Sequence, residues 1–129
     1  MRFPFPCFPA EFEIPDDWWR EAGMDGFVPA SPMFHSTPDV EGVLLREIEP
    51  PVRYPQCPKD FHGFDRSRFV SILRGIVSGA EIPAVPLLTL VVPDEEVRRP
   101  PFGYRVENGF HRFYASVAAG YEKLPAVIL

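Results

Sequence analysis

The segment Asn108–Gly109–Phe110–His111–Arg112 carries the residue types and spacing best suited to chemistry. It lies where a turn, Glu107–Asn108–Gly109, gives way to an amphipathic run, so it opens a helix. A helix start presents backbone N–H groups without intrahelical acceptors, together with a partial positive charge. Cationic side chains there are disfavoured by about 0.3–1 kcal/mol each when exposed, yet His111 and Arg112 both occupy the first turn. A bound anion resolves that conflict, because the N–H groups, the dipole and both side chains then converge on it. Gly109 lets the backbone approach a phosphate closely. A second helix repeats the arrangement, with Arg66 and Arg68 in its first turn and Ser71 on nearly the same face as Arg68. If the two helix starts face one cleft, they form a phosphate-sized pocket. The competing reading is an ordinary surface, with Asp65 pairing Arg68 and His111 solvated or packed. His35 and His62 sit in loops among aromatics, and Asp94–Glu95–Glu96 shows no metal-ligand pattern. None of these receives a role.

The elements that must position these residues follow from periodicity. Phe69, Ile72, Leu73, Ile76 and Val77 recur at i, i+3, i+4, i+7 and i+8, which predicts a helix over 66–78. Asp65 is its N-cap and Gly79 its C′ residue. The second helix runs to about Ala119, burying Phe110, Phe113, Tyr114, Val117 and Ala118, with Gly120 as its stop. Val43–Leu44–Leu45 and Ile48 read as one strand ending at Pro50–Pro51. Residues 84–92 read as a buried strand with an edge position or bulge at Pro86. Tyr104–Val106 and Ala126–Leu129 are further strands, and Pro93–Pro101 is a charged turn. The order from residue 43 is strand, helix, strand, strand, helix, strand, which is a small α+β domain. Upstream, a short helix from Pro15–Asp16–Asp17 to Ala22 is expected, with Gly23 to stop it and loop beyond.

The 129-residue length allows one ordinary domain, and a 46% apolar fraction can fill one core. Seventeen prolines and twelve phenylalanines stand out, with eleven of the prolines in residues 1–60. Disordered proline-rich segments lack aromatics. This one holds Phe3, Phe5, Phe8, Phe12, Trp18, Trp19, Phe27 and Phe34, so it is expected to wrap and pack. The net charge of −5 divides into −6 over residues 1–60 and +1 over 61–129. That balance weighs against a nucleic-acid binder held by a basic surface. Cys7 and Cys57 make no metal or redox spacing. No secretion signal and no apolar stretch approaching about 18 residues is visible, so a cytoplasmic protein without a membrane span is expected.

Four segments, in order, resemble the ParB N-terminal domain/sulfiredoxin-like superfamily. "VLLREIEPPVR" (43–53) is similar to the first strand and the proline-arginine segment of ParB-type domains. "FDRSRFVSILRGIVSGAEIPAVPL" (64–87) resembles the first helix and its G-x-x-x-P exit. "YRVENGFHRFYAS" (104–116) resembles the G-x-x-R phosphate motif of ParB and the G-C-H-R motif of sulfiredoxin. "AAGYEKLPAVIL" (118–129) resembles the closing strand. The resemblance covers 43–129 and leaves 1–42 as an N-terminal extension. It implies a small mixed sheet with two principal helices. It also implies nucleotide phosphates, from ATP or CTP with Mg²⁺, held by Gly109, His111 and Arg112. Arg68 and Ser71 occupy the positions of a basic residue and serine in sulfiredoxin's first helix, and Arg53 resembles a ParB arginine near the nucleotide.

The departures from the pattern bear on activity. Phe110 stands where sulfiredoxin has its nucleophilic cysteine, which argues against that reaction. The chain ends where ParB proteins continue into a helix-turn-helix, which argues against specific DNA binding. A kinase of this superfamily would need a carboxylate base; Glu47 and Glu49 are the candidates, with solvated edge charges the preferred reading. The expected function is therefore binding of a nucleotide or other phosphate-bearing ligand, with hydrolase or kinase activity left open. The alternatives are a non-enzymatic interaction protein using the aromatic extension for a protein partner, and a ParB-like DNA-binding protein or nuclease.

Overall fold

The computed structural model describes residues 1–6, 10–29, 39–52, 60–90 and 102–129. Within them the chain forms β1 (Arg2–Pro4), β2 (Glu11–Glu13), α1 (Asp16–Glu21), β3 (Glu41–Leu44), a 3-10 turn (Leu45–Glu47) and β4 (Ile48–Glu49). It continues through α2 (Arg66–Val77), β5 (Val85–Thr89), β6 (Tyr104–Val106), α3 (Phe110–Ala119) and β7 (Lys123–Ile128). This is a small α+β fold. β1 and β2 pair antiparallel, and the other five strands form one mixed sheet in the order β3-β7-β5-β6-β4.

The two principal helices form for the expected reasons. The Asp65 carboxylate accepts the Arg68 backbone N–H at 3.0 Å, capping α2. Gly79 lets the chain leave α2 at a φ of +76°, a region that suits glycine. The α2 stripe is rotated slightly from the predicted one: Phe69, Val70, Leu73 and Ile76 are buried, whereas Val77 is exposed. α3 is buried on all sides from Phe113 to Ala119 rather than along one face. It packs against α2 and β7, and aromatic rings from the N-terminal segment reach its Tyr114. A helix enclosed in this way needs no polar face.

Three sequence expectations are corrected. Residues 43–48 are not one strand: β3 and β4 lie on opposite edges of the sheet, joined by the 3-10 turn. Five flat strands at about 4.8 Å spacing would put those edges about 19 Å apart. The four steps from Leu44 to Ile48 reach at most about 14 Å. The sheet must therefore curl, and it does so around Val43, Leu45 and Ile48, which all point into the core.

Pro86 is not at an edge or bulge, because β5 runs between β7 and β6. Its carbonyl accepts the Glu107 N–H on the β6 side, where the ladder ends at Leu87 opposite Val106. The missing proline N–H faces that same end and leaves the β5–β7 pairing intact. β7 also starts at Lys123 rather than Ala126, with Pro125 opposite Gly42 of β3.

The N-terminal segment contains the β1–β2 ladder that its composition concealed, besides the expected α1. Phe12, Ile14, Trp18, Ala22 and Met24 are buried in the same core as α2, α3 and the sheet. Trp18 meets Phe69 at 6.2 Å between ring centroids, which makes it an anchor to the core. Glu21 ties α1 to α2 from outside, pairing with both Arg66 and Arg74.

Candidate functional site

A cavity of about 720 Å³ opens where the starts of α2 and α3 meet. α2 contributes Ser67, Arg68, Ser71 and Ile72; the chain around the α3 start contributes Asn108, Gly109, Phe110, His111 and Arg112; Val52 and Gly63 complete the wall. Gly109, His111, Arg112, Arg68 and Ser71 are thus brought together, although the two helices are more than 30 residues apart in sequence. Arg53 lies outside the described residues, as do Cys7, Cys57, His35 and the Asp94–Glu96 turn. Glu47 and Glu49 do not line the cavity.

The two helix starts are not equivalent, contrary to the symmetric expectation. At α2 the Arg66 N–H donates to Asp60 Oδ2 at 2.7 Å and the Arg68 N–H donates to Asp65 Oδ1 at 3.0 Å. Carboxylates therefore already satisfy the first turn of α2, and the Arg66 side chain turns away to Glu21 of α1. At α3 the N-cap is Gly109, which has no side chain to cap with. Its carbonyl accepts the Phe113 N–H at 3.0 Å, closing the first turn. Of the two starts, α3 is the one that keeps the dipole argument.

His111 and Arg112 both have structural duties that their positions in sequence do not reveal. His111 Nε2 accepts the Asp65 backbone N–H at 2.9 Å. An accepting ring nitrogen carries a lone pair, so this imidazole is neutral in the arrangement and brings no positive charge to the cavity. It acts as a pin between the N-cap residue of α2 and the first turn of α3, with its ring among Phe64, Phe69 and Phe110.

Arg112 Nη1 donates to Pro83 O at 2.9 Å and to Ala84 O at 2.8 Å, fastening the entry of β5 to α3. Burial pushes its pKa below the ordinary guanidinium value, but the group stays charged. Charged hydrogen bonds contribute about 1.5–3 kcal/mol each. Arg112→Ala is therefore expected to lower the unfolding free energy by roughly 2–4 kcal/mol even without ligand. Denaturant melts of the unliganded protein check this. Loss of ligand binding in that variant alone would not separate a lost contact from a loosened fold.

Arg68 is the cleaner cationic group. Its guanidinium is exposed and makes no hydrogen bond or ion pair among the described residues. Ser67, Ser71 and Asn108 are likewise exposed at the wall. Sequence reasoning missed Ser67, although a signal was present: Ser67 and Ser71 are four apart, and Arg68 and Ile72 are four apart. At helical spacing these make one ridge beside the buried stripe. Gly63 and Val52 were also missed, because only the fold brings them to the cavity; Asn108 and Phe110 lie in the segment singled out from the sequence, which gave them no ligand contact.

The wall thus joins two arginines, two serine hydroxyls, an asparagine amide and a helix start to the apolar surfaces of Val52, Ile72 and Phe110. Its described lining contains no carboxylate. No cluster of three or more histidine, cysteine or carboxylate side chains among the described residues could hold a metal ion. Mg²⁺ is ordinarily held by one or two carboxylates together with substrate phosphates. The described lining does not fit a protein-held Mg²⁺, and any such ion would depend on the ligand's own oxygens. No helix among the described residues is long and apolar enough to cross a membrane.

These features define a small α+β fold with a cavity, lined by arginine, hydroxyl and apolar side chains, where two helix starts meet. No protein-family model and no curated protein matches the sequence.

Proposed function

We propose that the chain is a ParB/sulfiredoxin-like domain that binds a nucleotide or another phosphate-bearing ligand in the cavity between the starts of α2 and α3. The observation that carries this reading is the convergence of Arg68, Ser71, Gly109, His111 and Arg112 on one cavity wall. Its volume of about 720 Å³ falls within the range of roughly 300–1,000 Å³ typical of small-molecule sites. The ligand's phosphate would sit against the first turn of α3 and the Arg68 guanidinium, with Ser67, Ser71 and Asn108 as neutral donors. His111 would hold the two walls in register. Arg112 would anchor β5 and offer its remaining N–H groups beside Gly109.

The reading is one of binding. Glu47 and Glu49, the carboxylates considered as a kinase base, lie away from the cavity wall. Phe110 replaces the thiol that sulfiredoxin chemistry needs. The extension supports a structural role over a partner surface, since Phe12, Ile14, Trp18 and Met24 are consumed by the core.

Thermal melts with ATP and with CTP, each with Mg²⁺, test the proposal. At about 100 times Kd a ligand stabilises its protein by about 2.7 kcal/mol, a rise of several degrees. Arg68→Ala should remove that rise while leaving the unliganded melting temperature unchanged. An absence of any shift with either nucleotide and with inorganic phosphate would rule the proposal out.

A further inference from the structure

Phe110 is the first residue of α3 and belongs to the cavity wall at the helix start. It is half-buried, lines the cavity, and lies directly after the helix-capping Gly109. Its ring is held by three others, with centroid distances of 5.6 Å to Phe64, 5.0 Å to His111 and 5.0 Å to Tyr114. Phe64 and Tyr114 are themselves buried, so Phe110 rests on a packed base and presents a fixed surface. Ile72 and Val52 extend the apolar wall around it. A cavity of about 720 Å³ is also far larger than a lone phosphate needs.

On the reading that this cavity takes a phosphate, we infer that its ligand is a phosphate ester of a ring-bearing, apolar or aromatic group, and that Phe110 is the residue that selects for the ring. Fixed aromatic surfaces favour ring partners through offset or edge-to-face contact in addition to apolar burial. An aliphatic, hydroxylated ester would gain the phosphate contacts but would leave this wall wet.

The test uses calorimetric titration of the full chain with inorganic phosphate, glycerol 3-phosphate and phenyl phosphate. Phenyl phosphate should bind at least about tenfold more tightly than glycerol 3-phosphate, a difference of about 1.4 kcal/mol. Phe110→Leu, which keeps most of the packed volume, should bring the two esters within about threefold while inorganic phosphate binds as before. Phe110→Tyr, which keeps the ring, should retain the preference. Equal binding of the two esters to the unmodified protein would overturn the inference and leave the phosphate site standing. A proportional loss for all three ligands in Phe110→Leu would overturn it too, as would loss of the preference in Phe110→Tyr. Failure of all three to bind would overturn the inference, and the underlying phosphate reading falls with it when ATP and CTP give no melting shift either.

Discussion

Truncating Phe12 to alanine is expected to cost about 3–5 kcal/mol, the range for removing a buried aromatic side chain. Phe12 lies far from the cavity in sequence, on the short strand β2, yet it sits at the junction of the two halves of the core. Its ring centroid is 5.0 Å from Tyr114 and 6.1 Å from Phe64, and 5.6 Å and 5.4 Å from Phe3 and Phe5. Removing it opens a void beneath α3 and leaves Phe3 and Phe5 without the surface they cover. Domains of this kind are stable by roughly 5–15 kcal/mol, so the variant should unfold at much lower urea. The midpoint should fall with little change in slope. A loss below about 1 kcal/mol would mean that residues 1–22 are an accessory layer rather than part of the core.

Gly109→Ala is the second large effect, and it has two separable causes. Gly109 adopts φ +115° and ψ +32°, where a side chain is strained by about 1–2 kcal/mol. A Cβ there would also lie 3.1 and 3.2 Å from the Val85 methyls and 3.2 Å from Arg112 Nη2. Overpacking of that kind costs a further 1–3 kcal/mol or so. Gly79 supplies the control: its φ is +76°, but a Cβ would meet nothing within 4 Å. Gly79→Ala should therefore show the backbone cost alone, of about 1 kcal/mol. The excess in Gly109→Ala measures how tightly α3 is seated on β5, and its ligand affinity should fall as the helix start is displaced. Equal losses in the two variants would show that the close approach to Val85 has little energetic weight.

The parts of this molecule legible from sequence are those governed by local periodicity and caps. α2 with Asp65 and Gly79, and α3 with Gly109 and Gly120, follow from apolar spacing and from residues with particular backbone preferences. The elements that were not legible depend on distant partners. Residues 43–48 look like one apolar strand because the 3-10 turn inside them carries neither glycine nor proline. β1 and β2 are three residues each, too short for alternation to register, and prolines obscure them. Pro86 suggests an edge because its N–H is missing, whereas the loss falls where the β6 ladder has already ended.

The same division holds at the site. Residue types at the α3 start pointed to an anion, but His111 and Arg112 each make bonds across 28 to 46 residues that change their roles. His111 becomes a neutral pin and Arg112 largely a clamp on β5. That leaves Arg68, whose side chain makes no such bond among the described residues, as the cation best placed to meet a ligand.

A phosphate-bearing ligand seated at the α3 start would be reported directly by the backbone amide resonances. In an amide NMR titration with ATP and Mg²⁺, the largest shifts should fall on Gly109 to Phe113 and on Ser67 to Ser71. Arg68→Ala should need much higher nucleotide to reach the same change. Shifts confined to residues 1–29, or none anywhere at millimolar nucleotide and phosphate, would show that no such ligand seats there.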